Sequence, residues 1–61
     1  MTYTSRAHRD GQWWVVQNDQ VPGAISQVDR LDQAAAAQRE AIAFVAGVPA
    51  ETIEVAIRTV P

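Results

Sequence analysis

The sequence predicts a small α+β domain of element order β-β-β-α-β, a four-stranded mixed sheet with one helix on one face. Three features carry that expectation: an Asp10-Gly11 pair between two alternating runs, a helical repeat from Leu31 to Val45 closed by Gly47 and Pro49, and an alternating run from Ile53 to Arg58.

The runs Tyr3-Thr4-Ser5-Arg6-Ala7-His8-Arg9 and Gln12-Trp13-Trp14-Val15-Val16-Gln17 flank Asp10-Gly11. Asp-Gly favours a two-residue type I′ turn, because both turn positions need positive φ, which Asp tolerates and Gly takes freely. That turn places Trp14 opposite Ala7 and Trp13 opposite His8. Successive side chains of a strand alternate, so the two tryptophans point to opposite faces. Asn18-Asp19-Gln20 then reads as a polar loop and Val21-Pro22-Gly23 as a turn, leading into a short third strand over Ala24–Val28.

From Leu31 the period becomes helical. Asp29 is expected to cap the first turn, with a start at Arg30 as the competing register. Leu31, Ala34, Ala35, Gln38, Ala41, Ile42 and Val45 recur at three- and four-residue spacing and form the expected inner face. The Ala34–Ala37 run suits close packing of helix on sheet. Gly47 fits the left-handed position after a helix and Pro49 forbids simple continuation, which ends the helix near Ala46. Pro49-Ala50-Glu51-Thr52 reads as one helical turn or a tight connection. Ile53, Val55 and Ile57 alternate with Glu54, Ala56 and Arg58, a fourth strand.

A right-handed crossover from the third strand to the fourth lays the fourth parallel to the first, in the order 3-2-1-4. The helix then covers one face only. Tyr3, Ser5, Ala7, Trp14, Val16 and Asn18 share one side, and Thr4, Arg6, His8, Trp13, Val15 and Gln17 the other. The first set is the better core, with Trp14 as its anchor. Trp13 and Val15 are left on the uncovered face, either buried in a self-dimer or held ready for a partner.

Composition narrows the function. A chain of 61 residues forms one domain and buries only about 60% of its unfolded surface, so association with a partner or a second copy would add stability. There is no cysteine, which excludes disulfides and thiolate metal sites. Five arginines, no lysine and seven acids give a formal charge of −2, a poor surface for nucleic acid and a better one for protein. No stretch has the length of a membrane span or the form of a signal peptide, and a cytoplasmic location is expected. His8, the only histidine, has no carboxylate to orient it and no nucleophile opposite it. Asp29, Asp32, Glu40, Glu51 and Glu54 are scattered over different elements rather than gathered to hold Mg²⁺. No enzymatic activity, cofactor or metal is expected. The expected partner-binding surface is Arg6, His8, Trp13 and Val15, with Arg6 stacked on Trp13, together with the loop Asn18, Asp19, Gln20 and Val21.

Taken in order, the Tyr3 strand, Arg9-Asp10-Gly11-Gln12-Trp13-Trp14-Val15-Val16, Val21-Pro22-Gly23 and Asp29-Arg30-Leu31-Asp32-Gln33-Ala34 opening an alanine-rich helix resemble the HicB-type antitoxin domain. The helix end at Ile42 to Val48, Pro49 and the strand Glu54-Val55-Ala56-Ile57-Arg58 extend the resemblance over nearly the whole chain. It implies a partial ribonuclease H-like fold spanning 1–61 as a single HicB-like domain. It also implies an antitoxin of a type II toxin-antitoxin system that neutralises a small HicA-like RNA-cleaving toxin. Many members add a C-terminal helix-turn-helix or ribbon-helix-helix module. The last strand here runs up to Pro61, so direct DNA binding is not expected, while a homodimer is. An orphan interaction or scaffold domain of the same fold, without a cognate toxin, is the alternative.

Overall fold

The structure, a computed structural model, describes residues 2–61. Strand β1 (Thr2–Asp10) and strand β2 (Trp13–Asn18) form a hairpin, and β3 (Ile25–Val28) follows the loop. A 3-10 turn at Leu31–Gln33 runs into helix α1 (Ala34–Ala46), and a second 3-10 turn at Ala50–Thr52 leads to β4 (Glu54–Thr59). The four strands form one sheet in the order β3-β2-β1-β4. β1 is antiparallel to β2 and parallel to β4, and β2 is antiparallel to β3, as the crossover argument requires.

The hairpin corrects the expected register. Ala7 pairs with Val16, His8 with Val15, Arg9 with Trp14 and Asp10 with Trp13, so the turn residues are Gly11 and Gln12. Gly11 takes φ 62° and no non-glycine residue among those described has positive φ, which gives the loop one left-handed position instead of two. A turn with glycine first among its two central residues needs only that one. Asp10 therefore stays in the strand and avoids the left-handed cost of about 1–2 kcal/mol that an L-residue bears. The slip equals two residues, so it preserves the faces: only an odd slip would turn every side chain over.

The helix-side core has two apolar clusters with a polar layer between them. Tyr3, Ala24, Ile42 and Ile53 form one, flanked by Val21, Ala41, Ala43, Val48 and Val55. Ala7, Val16, Val28 and Ala34 form the other, flanked by Trp14, Ala37 and Ile57. Ser5 lies between Tyr3 and Ala7 along β1, and Gln38 lies between Ala34 and Ile42 along α1. Both are fully buried, with Asn18 beside them. The Gln38 amide accepts a hydrogen bond from Ser5 Oγ at 2.6 Å, and the two N–H groups of its Nε2 are shared among Val16 O, Ala24 O and Ser26 Oγ at 3.0–3.2 Å. Asn18 Nδ2 donates to Ser5 Oγ at 2.9 Å. No buried side-chain nitrogen or oxygen among the described residues lacks a partner.

The helix face is narrower than its sequence period suggests. Ala34, Gln38 and Ile42 are buried in a single row, whereas Leu31, Ala35 and Val45 are exposed. Leu31 falls in the 3-10 turn, whose three-residue period puts it out of phase with the α-helix. Val45 overhangs the sheet towards Gly23, its Cγ1 lying 3.5 Å from where a glycine Cβ would stand. Asp29 does not cap: neither the 3-10 turn nor α1 begins with a side-chain cap hydrogen bond. Gly47 ends α1 in the left-handed conformation, φ 70°, as anticipated. Trp14 is half-buried at the edge of the second cluster with the Arg9 guanidinium 5.3 Å from its ring centre, a cation–π cover over a rim residue.

Gln38→Leu should lower stability by about 2–4 kcal/mol in urea melts, because the buried Ser5 O–H loses its acceptor and the Val16 and Ala24 carbonyls and Ser26 Oγ each lose a donor. Adding Ser5→Ala to that variant should recover part of the loss.

Candidate functional site

Among the described residues no segment covers the sheet face opposite α1. By the strand register it carries Ile25 and Gln27 from β3, Trp13, Val15 and Gln17 from β2, Thr4, Arg6, His8 and Asp10 from β1, and Ala56 and Arg58 from β4. Trp13 is 37% exposed and Ile25 58%, large apolar side chains left in water, with Val15 half-buried between their rows. Gln17, Arg6 and Arg58 stand in one row across β2, β1 and β4, which places the two arginines side by side.

Asp19 bridges those arginines. Arg6 Nε donates to Asp19 Oδ1 at 2.6 Å, Arg58 Nη2 approaches Oδ2 at 3.4 Å, and Thr4 Oγ1 also reaches Oδ2 at 3.4 Å. The Arg6 hydrogen bond is the main cause of an Asp19 carboxyl held below its ordinary range. The charges of Arg6 and Arg58 and the Thr4 hydroxyl act in the same direction, and partial desolvation opposes them. Two guanidinium groups against one carboxylate leave the centre of the face with a net positive charge, while Asp10 and Glu54 lie towards opposite ends of β1.

The expected site residues divide into two groups. Arg6, His8, Trp13 and Val15 share the open face. His8 stands opposite Val15 and not Trp13, because of the two-residue slip. Arg6 does not stack on Trp13; it lies opposite Gln17 and turns to Asp19, and it is Arg9 that makes a cation–π pair, with Trp14 on the other face. The loop is less available than expected. Asn18 is fully buried on the helix side, where its Oδ1 accepts the N–H groups of Gln20 and Val21 at 3.0 and 2.8 Å and its Nδ2 donates to Thr4 O at 3.1 Å. It holds the loop in shape instead of presenting itself. Val21 packs against the first apolar cluster. Gln20 is exposed but pinned to β1: its Oε1 accepts the Thr4 N–H and its Nε2 donates to Thr4 Oγ1, both at 2.9 Å. Asp19 and Gln20 are thus the loop residues that reach the face.

Ile25 and Arg58 belong to the face and escaped the sequence reading. Both lie out of phase with the buried rows of their strands, which is a readable signal. Their place beside Gln17 and Arg6 depends on strand pairing that local pattern does not supply. Among the described residues no three His, Cys, Asp or Glu side chains gather as a metal site, and no helix is long and apolar enough to cross a membrane. Comparison of the chain with protein-family models, curated proteins and solved structures finds no match.

Because the Asp19 carboxyl is lowered in the folded state, its stabilising effect is present above the ordinary carboxylate range and is lost as pH falls through the folded value. The melting-temperature gap between the parent chain and Asp19→Asn should be widest near neutrality and close on acidification below about pH 4. Thermal melts across that range check it.

Proposed function

We propose that the uncovered sheet face is a protein-docking surface and that the chain acts as a HicB-type antitoxin, binding a HicA-like RNA-cleaving toxin. The single observation that carries the docking reading is the open face, where Trp13, Val15 and Ile25 form an apolar strip beside the Arg6–Asp19–Arg58 cluster. Exposed tryptophan with flanking arginine is the composition of an interface hot spot. The toxin as occupant rests on the HicB resemblance of the ordered motifs, to which the β-β-β-α-β order and the single-sided helix add support; the partial ribonuclease H-like assignment belongs to the same proposal.

The mechanism is occlusion. A standard-size interface buries about 1,200–2,000 Å² in total, so a domain this small commits much of one face to its partner. Trp13, Val15 and Ile25 supply apolar surface to be dehydrated, while the Arg6–Asp19–Arg58 cluster, already ordered by its own hydrogen bonds, offers directional contacts at little entropic cost. The exposed carboxylates Asp10 and Glu54, with the negative net charge, favour encounter with a basic partner and make the on-rate fall with salt.

Co-expression with a HicA-like toxin encoded beside it should restore growth. Trp13→Asp and Ile25→Asp should each weaken binding by roughly tenfold or more in calorimetry while the melting temperature stays within a few degrees. Retained binding by both variants would move the site off this face, and failure of the parent pair to associate at micromolar concentration would favour an orphan interaction domain.

A further inference from the structure

We propose that β4 is a self-complementary edge and that two copies of this chain join through it, antiparallel, about a two-fold axis at Ala56. The proposal does not rest on the antitoxin reading: it uses the backbone of the sheet's rim and shares only Glu54 and Arg58 with the docking surface, leaving Trp13, Val15 and Ile25 free.

β4 is an outer strand of the sheet, paired on one side only with β1 in an unbroken register from Thr2–Glu54 to Ala7–Thr59. Such an edge is a template for another strand unless proline, a bulge or a covering element blocks it. β4 contains neither proline nor bulge. The Val60 N–H donates to Ala7 O at 2.9 Å, so the even-numbered residues of this segment turn their backbone groups towards β1. By alternation, the backbone groups of Val55, Ile57 and Thr59 point outward along the free edge.

The side chains then select the register. With Ala56 on the two-fold axis, Val55 of one copy lies opposite Ile57 of the other, and both are outward-pointing residues able to exchange N–H and C=O bonds. Glu54 of each copy lies opposite Arg58 of the other on the open face, giving two opposite-charge pairs. Ala56 meets itself in the non-hydrogen-bonded position, where the chains approach closest and a small side chain fits. Centring on Glu54 or on Arg58 sets like charges opposite each other. Centring on Val55 or Ile57 leaves Glu54 or Arg58 facing alanine.

The neighbouring surface agrees. An open groove between α1 and β4 is lined by Ala35, Ala36 and Arg39 of the helix, Asp32 before it, and Ile53, Glu54 and Val55. Val55 and Ile57 are only half-buried in the single chain. A second copy related by an axis normal to the sheet continues the sheet and brings its own helix to the same side, so that the alanine-lined groove becomes the seam between the two helix layers. The opposite edge, β3, is four residues long and has no such palindrome.

Sedimentation equilibrium on the full chain tests this. The parent should dimerise, and Glu54→Arg and Arg58→Glu should each raise the dissociation constant by roughly tenfold or more, since each turns two attractive pairs into two repulsive ones. The double variant Glu54→Arg/Arg58→Glu should restore the dimer. Because Arg58→Glu also sets an acid beside Asp19, a second arm avoids the charges. The chain has no cysteine, so Ala56→Cys introduces a single thiol. It should give a disulfide-linked dimer on mild oxidation, whereas Gln27→Cys on the opposite edge should not. A parent that stays monomeric at roughly 100 μM, a dimer indifferent to both charge reversals, or cross-linking through Gln27→Cys in place of Ala56→Cys would overturn the proposal.

Discussion

The Gln38 side chain is the interaction on which the rest of the architecture depends. One amide from the helix reaches three strands at once: Ser5 on β1, Val16 on β2, and Ser26 with its neighbour Ala24 at β3. Apolar contact is non-directional and would tolerate several settings of an alanine-rich helix against a flat sheet. A buried amide with defined donors and acceptors does not, because each misplaced bond leaves a polar group unsatisfied in a low-dielectric interior. The helix is therefore held at one height and rotation, and the apolar clusters on either side of Gln38 close around that setting.

Asn18 extends the same logic to the loop. Its side chain belongs to the buried layer through Ser5, yet its Oδ1 accepts two backbone N–H groups of the loop that follows. Polar satisfaction in the core thereby determines where Asp19 and Gln20 emerge. Asp19 comes out over the open face between Arg6 and Arg58, and Gln20 closes on Thr4. The ordered charge cluster of the candidate docking surface is thus built from beneath, by groups that no partner can touch.

The sheet has two contrasting sides for a simple reason: one helix covers one face. Trp13 and Ile25 remain in water on the other side because no described segment crosses it. Phe44, 89% exposed on the outer surface of α1, is a further apolar side chain that the fold leaves uncovered, and it lies on the opposite side of the molecule from the docking face.

Local chemistry in the chain determined a great deal. Alternation set which residues share a face, and because that alternation has a period of two, the assignment survived a hairpin that slipped by two residues. Gly47 and Pro49 marked the helix end, and a right-handed helical crossover allowed the parallel pairing of β1 with β4 that the sheet has. Tertiary structure decided the rest. The turn conformation was settled by which residue bears positive φ once both strands are paired, and it fell to Gly11 alone. The burial of Gln38 and Asn18, residues that look at home on a surface, followed from partners distant in sequence, as did the meeting of Arg6, Asp19 and Arg58. Periodicity is a property of neighbours along the chain and can be read from them. Hydrogen-bond satisfaction and charge pairing between strands depend on which distant segments the fold brings together, and only the assembled sheet specifies that.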